Sequence, residues 1–522
     1  MNSGRIKHRL LAVGLLAAAL SAQADSPANA ALVARISPEL ERYVEALRQR
    51  EEIPGIAIVI ADRHRVLYAK GFGVREAGKP EPVTPATVFQ IGSVTKSFLA
   101  TTVAMAVDDG KLSWDTPIAE RQPAFRLQDP WVTQHATPAD VLSHGLGLQP
   151  YIYDDMIFLG YSLPARLRAL PHAPLTGRFR QSAQYVNLLH PVVGEIAARA
   201  AGNIDWNDML ARRIFGPLQM NASSSTREGL LNAPDHASPH QHNEGKLQVI
   251  PIVGSYWYSA GVGPAGSINS TARDMGQWLR LQLGRGELDG KRIVSEAQMD
   301  ETWRPRAMMS PTEGAAPGWG MRFTPQGRMV SHDGGTASYG SNAMLLPEAG
   351  EPGAGGIGIA VLTNHGQEGA PFAISRWFAE RVWGLPVVDH RAGFKRPPPD
   401  APAAAANTPT PPPERMQAYA GAYDSPTLGQ VTVLQEAAGA TQGGQLVLQL
   451  EEVGARFRLQ PLGGEAFSAE VLPEGRFGEL AAEGFTPFYR VEFTLGADGK
   501  ARGAQAVSPL ASRHELVRTA SR

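Results

Sequence analysis

The sequence predicts an α+β domain, an antiparallel sheet with helices plus a helical region, followed by a small all-β barrel or sandwich domain. Three observations carry this. Strand signals lie at both ends of residues 30–390, with helical signals between them. From Pro397 to Pro413, eight of 17 residues are proline, a composition that cannot bury a core and favours extended chain. Beyond it, residues 414–522 contain runs that alternate apolar and polar, the period of a strand. A linker is therefore placed at 391–413, and it predicts few contacts between the two parts, so that a chain ending near Lys395 folds alone.

The N-terminus reads as an address. Arg5, Lys7, His8 and Arg9 precede an apolar run, Leu10 to Leu20, and Ala22-Gln23-Ala24 is a small-x-small cleavage site. Residues 1–24 are thus expected to be a signal peptide, too short to span a bilayer, which takes about 20 apolar residues. No cysteine follows it to carry a lipid, so no membrane anchor is expected after cleavage, and the protein is placed in the periplasm or outside the cell.

Gly55–Ala61 and Arg65–Gly71 read as neighbouring strands joined by Asp62-Arg63-His64. Ser93–Asp109 reads as a helix. Thr137-Pro138-Ala139-Asp140 is a helix start, with a capping Thr, a Pro at the first position and an acidic first turn. Tyr185–Ala201 and Ile204–Ile214 read as helices, and Ser270 or Thr271 caps another that runs to Leu283. Strands follow at Gly320–Phe323, Arg328–His332, Ala343–Leu346 and Ile357–Thr363, then a helix from Ala373 to Trp383. In the tail, Gln430–Leu434, Gln445–Leu450, Arg456–Leu462 and Tyr489–Leu495 read as strands, with Asp498-Gly499 as a hairpin turn.

Composition narrows the function. The 522 residues hold 49 Lys plus Arg and 50 Asp plus Glu, a formal net charge of -1. No basic excess exists to neutralise phosphates, so nucleic acid is not expected as a partner. With no cysteine, a disulfide framework, a thiol nucleophile and a Cys-ligated metal are excluded. Asp235, His236, His240 and His242 form the one metal-like cluster, but they sit in a Pro-containing loop with no ligand-bearing helix. His240 is expected near a pocket rim, and His144 at a helix C-terminus.

The candidate nucleophile is Ser93, in Ser93-Val94-Thr95-Lys96. Residues three apart on a helix share a face. A desolvated Lys96 there can serve as base for the serine, and a helix start aims N–H groups at a developing oxyanion. Tyr185-Val186-Asn187 is the sole YxN and His332-Asp333-Gly334 the sole HxG. A phenol can relay protons, and an amide two residues on can hold a substrate carbonyl. Each has a bland counterpart: a solvated Lys, a core Tyr, a strand-end His.

Five stretches around these motifs, FQIGSVTKSF (89–98), TPADVLSHGLGL (137–148), QYVN (184–187), PAGSINSTARDM (264–275) and SHDGG (331–335), resemble the serine β-lactamase and penicillin-binding-protein superfamily. The resemblance is to its class C-like branch, which holds β-lactamases, DD-peptidases, D-aminopeptidases and esterases. YAGAYDSPTLG (419–429) looks like the β-rich module that follows this domain in many such hydrolases. The resemblance implies a β-lactamase/transpeptidase-like fold over residues 30–390. It implies Ser93 as the acylated nucleophile, Lys96 as its general base and Tyr185 as proton shuttle to the leaving group and to the deacylating water. Asn187, His332 and Gly334 would bind substrate, and the N–H groups of Ser93 and Gly335 would form the oxyanion hole. No metal or organic cofactor is implied.

The third motif departs from the β-lactamases, which carry Lys where this chain has His332. A free imidazole is mostly neutral at pH 7 and charges as pH falls through about 6.5. This favours neutral esters, amides or aminopeptidase-type substrates over β-lactams and C-terminal D-Ala peptides. A class C-type β-lactamase or D-Ala-D-Ala carboxypeptidase remains one alternative, and a non-catalytic cell-wall peptide-binding protein another. Tyr151–Leu163 and Val249–Gly261, rich in aromatics, are expected at the pocket. The oligomeric state is not legible.

Overall fold

A strand without a polar residue sits one place in from an edge of the main sheet. The computed structural model describes residues 27–392 and 413–519, apart from 244, 253–261, 337, 351–354, 367–368, 437–443, 483–487 and 511. In it β1 (Gly55–Ala61) is buried along its whole length. Such a run, apolar on both faces, needs cover on both. Ile56, Ile58 and Ile60 face one core, formed with Val33, Leu40 and Val44 of α1 (Pro27–Arg50) and Trp377 and Phe378 of α6 (Gly369–Val382). Ala57, Val59 and Ala61 face the other, with Met275 and Leu279 of α5 (Ala272–Leu283).

The sheet continues through β2 (Val66–Gly73), β3 (Ala307–Ser310), β4 (Glu313–Ala316), β5 (Trp319–Thr324), β6 (Gly327–Gly335), β7 (Gly340–Leu346) and β8 (Ile357–Thr363). Its order is β2-β1-β8-β7-β6-β5-β4-β3, antiparallel at every pairing. The helical region lies between β2 and β3 in sequence. It holds α2 (Thr95–Asp108), α3 (Pro138–Leu142) and α4 (His190–Ala200). The start of α3 follows its sequence signal: Thr137 and Asp140 form a reciprocal capping box behind Pro138. Of the two candidates for the cap of α5, Thr271 fills it, accepting from the Asp274 N–H.

The tail closes into a barrel of eight strands: β9 (Gly421–Ser425), β10 (Gly429–Glu436), β11 (Gln445–Leu450), β12 (Ala455–Gly463), β13 (Ala466–Val471), β14 (Tyr489–Leu495), β15 (Ala501–Val507) and β16 (Arg513–Arg518). Each strand pairs with the next, and β9 pairs with β16, which removes every edge. In β14, Tyr489, Val491 and Phe493 point inward while Arg490, Glu492 and Thr494 face solvent. The turn at Asp498-Gly499 joins β14 to β15, with Gly499 at φ 76°.

Two helix assignments need correction. Tyr185–Leu189 is not helical; α4 begins at His190, with Pro191 in its first turn. The backbone before it is already committed elsewhere. The Gln184 N–H donates to the His144 carbonyl (2.9 Å), the Tyr185 carbonyl accepts from Tyr151 N–H (2.8 Å), and Val186 N–H donates to His144 Nδ1 (3.2 Å). The expected Ile204–Ile214 helix is Trp206–Leu210 continued by a wider π-type turn over Ala211–Phe215. The expected signal peptide at residues 1–24, the Pro-rich segment up to Pro412 and the aromatic residues Tyr256, Trp257 and Tyr258 lie outside the described residues. Among the described residues, no helix is long and apolar enough to cross a membrane.

Candidate active site

Gly92, at φ 49°, turns the chain from a short strand into α2 and presents Ser93 at its entrance. One turn on, Lys96 is fully buried. Its Nζ donates to Ser93 Oγ (2.9 Å) and to the Ala265 carbonyl (2.8 Å). Burial disfavours the ammonium and pulls Lys96 down to about 7, against the opposing pull of Asp154. Tyr185 OH donates to the same Ser93 Oγ at 2.7 Å, and Lys96 Nζ lies 4.9 Å from the centre of the phenol ring. The three side chains, 92 residues apart at the extremes, thus meet on one oxygen.

The segment that carries Tyr185 is braced from behind by His144. Its ring lies 4.4 Å from that of Tyr185, its own φ is 55°, and its Nδ1 accepts from Val186 N–H. Burial, then the Lys96 charge, keep this imidazole neutral. His144 does follow the C-terminus of α3, as expected, but it also supports Tyr185 and the segment that carries it.

Asn187 lies in the same cleft, its Nδ2 donating to Asp154 Oδ2 at 2.7 Å. Asp154 is buried, and burial pushes its carboxyl up to about 7 even though Asn187 and Lys96 draw it down. The sequence reading singles out neither Asp154 nor its neighbour Asp155. The available signal was a pair of carboxylates inside the aromatic stretch Tyr151–Leu163.

His332 reaches the cleft from β6. Its Nδ1 is 2.6 Å from the Asp333 carbonyl, which can only accept, so Nδ1 holds the proton and Nε2 the lone pair. Burial and the Lys96 charge press this imidazole down to about 3. The expectation that it charges as pH falls through about 6.5 is opposed here by a push toward the neutral form. Gly334 lies next to the residues that line the cleft, and a Cβ there would meet the Ile91 carbonyl oxygen at 2.1 Å, as expected of a position that allows close strand approach. It is a spacer that lets β6 approach the Ser93 turn. Gly335 does line the cleft, and its backbone packs against Gly92, where a Cβ would meet Gly335 N and O at 2.8 Å. Gly335 therefore stands beside the Ser93 turn.

The loop histidines go elsewhere. His240 is buried rather than at a rim; its Nε2 accepts from Ala77 N–H and its Nδ1 faces the Asn364 carbonyl. Asp235 accepts from Thr84 and Thr87, His236 pairs with the Ala233 carbonyl, and His242 lies between His365 and Glu52.

The cleft, about 1240 Å³, has walls from both parts of the chain. The barrel closes over Tyr151–Leu163 through buried polar contacts. Asp155 Oδ2 accepts from Tyr489 OH (2.7 Å) and His514 Nε2 (2.8 Å), and Tyr153 N–H donates to Ser512 Oγ (2.8 Å). Tyr161 OH donates to the Leu428 carbonyl (2.9 Å). The expectation of few contacts between the two parts fails here. Asp154 holds Asn187, and the next residue holds the barrel.

The sequence profile of the family described as Beta-lactamase matches residues 40–382. The chain is similar to an unguisins hydrolase, ungD', of Aspergillus campestris, 26% identical over 62% of this chain and 60% of that protein. It is similar to penicillin-binding protein 4 of Amycolatopsis lactamdurans, 28% identical over 62% of this chain and 84% of that protein. It also resembles esterase EstB of Burkholderia gladioli, 32% identical over 36% of this chain and half of that protein. The chain thus spans under two thirds of the length of the fungal hydrolase. Among solved structures, the octameric penicillin-binding protein homologue from Pyrococcus abyssi shares the fold, with TM-score 0.57, 21% identity and coverage of 92% of this chain and all of that one.

Proposed function

The chain belongs to the β-lactamase family, and from that premise we propose that it is an exported serine hydrolase cleaving an ester or amide bond through a Ser93 acyl-enzyme. One observation carries this reading: Lys96 Nζ and Tyr185 OH both bond Ser93 Oγ, at 2.9 and 2.7 Å. Neutral Lys96 takes the Ser93 proton as Oγ bonds the substrate carbonyl carbon. The N–H groups of Ser93 and Gly335 receive the oxyanion. As the bond to the leaving group breaks, Tyr185 delivers a proton to it and is reprotonated from Lys96. Water, deprotonated through Tyr185, then attacks the acyl carbon and releases Ser93. Asn187 binds the acyl group, and residues 1–24 direct export.

The charge of the cleft supports neutral or amine-bearing substrates. Among the described lining residues, the carboxylates Asp155, Glu313, Asp333 and Glu470 outnumber two cations, Arg322 and Arg490, and Asp154 adds a carboxyl that burial draws toward its neutral form. Arg322 is paired with Glu313, and Arg490 lies 3.7 Å from Glu492. With His332 neutral, a substrate carboxylate meets a net acidic wall. This speaks against β-lactams and C-terminal carboxylates, and so against a β-lactamase or carboxypeptidase.

The test is a covalent one. A fluorophosphonate should add its mass to the peptide carrying Ser93, and Ser93→Ala should lose both labelling and turnover of p-nitrophenyl acetate by several orders of magnitude. Residual activity above a few per cent overturns the assignment. Absence of labelling in wild type would instead support a binding protein.

A further inference from the structure

Large apolar side chains left in water cost free energy, and when they gather in one concavity they mark a binding surface. Four of them line the cleft that holds Ser93: Tyr151 (43% exposed), Met309 (64%), Leu462 (37%) and Leu510 (37%). They come from four separate places. Tyr151 opens the loop that carries Asp154, and its ring lies 5.4 Å from that of Tyr185. Met309 is on β3. Leu462 is on β12 of the barrel, and Leu510 follows β15. Local sequence does not account for this convergence. It exists because the barrel is docked, through Asp155, Tyr489 and His514, beside the catalytic cleft.

We infer that the barrel and the hydrolase domain together form a subsite for a bulky apolar acyl group, so that the tail sets substrate selectivity. The inference rests on the acyl-transfer reading and names its substrate class: uncharged esters or amides whose acyl part bears an aliphatic chain or aromatic ring of several carbons. Cleft volume supports it. At about 1240 Å³ the space exceeds the roughly 300–1,000 Å³ typical of small-ligand pockets, far more than an acetyl group fills. Charge supports it as well, since the acidic excess of the lining disfavours an acyl group that carries a carboxylate. An acyl group stays on Ser93 after the leaving group departs, so an apolar wall acts on both halves of the reaction.

The experiment compares kcat/KM for p-nitrophenyl octanoate and p-nitrophenyl acetate in full-length protein. Wild type should prefer octanoate. The double variant Leu462→Ser, Leu510→Ser should lower the octanoate-to-acetate ratio about tenfold while acetate turnover stays near wild type. Both side chains are exposed, so folding is not at stake. Met309→Ser, on the opposite domain, should lower the ratio in the same direction. Leu434→Ser is the control, exposed on the barrel but not in the cleft, and should leave the ratio unchanged. Ratios unmoved by the barrel variants, or a wild type that prefers acetate, overturn the subsite. Failure of wild type to turn over acetate or react with fluorophosphonate would overturn the acyl-transfer reading itself.

Discussion

A lysine stripped of water next to a serine hydroxyl becomes a base near neutrality, and the rate should show it. With Lys96 pulled down to about 7, kcat/KM for a neutral ester should rise with pH through about 7 and then level off, because only the neutral amine accepts the serine proton. Lys96→Ala and Tyr185→Phe should each lose about 10²–10⁴-fold in kcat while remaining folded by circular dichroism. Asp154 opposes the depression of Lys96, so Asp154→Asn should move the midpoint of that profile to lower pH. A midpoint moving upward would show that the pair is wrongly assigned. His332 is neutral throughout this range, so His332→Gln should leave the midpoint in place apart from small electrostatic changes, whereas a titrating His332 would remove one limb. Ser93, Lys96, Tyr185, Asn187 and His332 were legible because their chemistry is encoded in short spacings. Asp154 and His144 were not. Each acts through a residue distant in sequence, Asn187 in one case and Val186 in the other, and one chain read alone does not disclose such pairings.

Elements that announce themselves by capping and alternation were readable. The Thr137 box, the apolar run of β1 and the turn at Gly499 all stand where their local chemistry demands. Helix α1 was not anticipated, although Val33, Ile36, Leu40, Val44 and Leu47 are spaced for one helical face, and Pro38 inside it is an ordinary breaker signal. The Tyr185 segment went the other way: helical composition was overridden by tertiary hydrogen bonds to His144 and Tyr151. At the level of elements, the sharpest constraint is the approach of β6 to the Ser93 turn. Gly334→Ala would place a methyl 2.1 Å from the Ile91 carbonyl, which is backbone and cannot rotate away. We expect a loss of about 1–3 kcal/mol in urea unfolding, and a larger fractional loss of activity than of folded protein. An alanine variant of wild-type stability and rate would show that the strand has slack there.

In the whole molecule, the two parts share one contiguous apolar core, which includes Met156 and Ile157 of the hydrolase domain and Leu428, Phe457 and Tyr489 of the barrel. The composition of the linker suggested independence, but a linker describes only the covalent connection and is silent on what its two ends dock against. The decisive group is Asp155. Burial alone would raise its carboxyl, but the His514 charge and the bonds from His514 and Tyr489 outweigh it and hold the group below the usual carboxylate range. A group so depressed contributes stability at pH above its unfolded value, near 4, and loses it as pH falls through the folded value. Removing one partner of a buried pair costs about 3–5 kcal/mol, because the other is left charged and unsolvated. His514→Ala should therefore lower the thermal midpoint at pH 7, and this penalty should shrink only as the pH is taken down through the depressed folded value of Asp155, below which the carboxyl is neutralised with or without its partner. Cutting the chain after Lys395 removes His514, Tyr489 and Ser512 together, leaving Asp155 and the Tyr153 N–H without their partners on the barrel. The shortened protein should be insoluble, or soluble with its p-nitrophenyl acetate activity lost, since the same loop holds Asn187 through Asp154 and the Tyr185 carbonyl through Tyr151. A soluble, monodisperse shortened chain that keeps wild-type acetate turnover would show that the loop holds its shape unaided and that the barrel is dispensable for the chemistry.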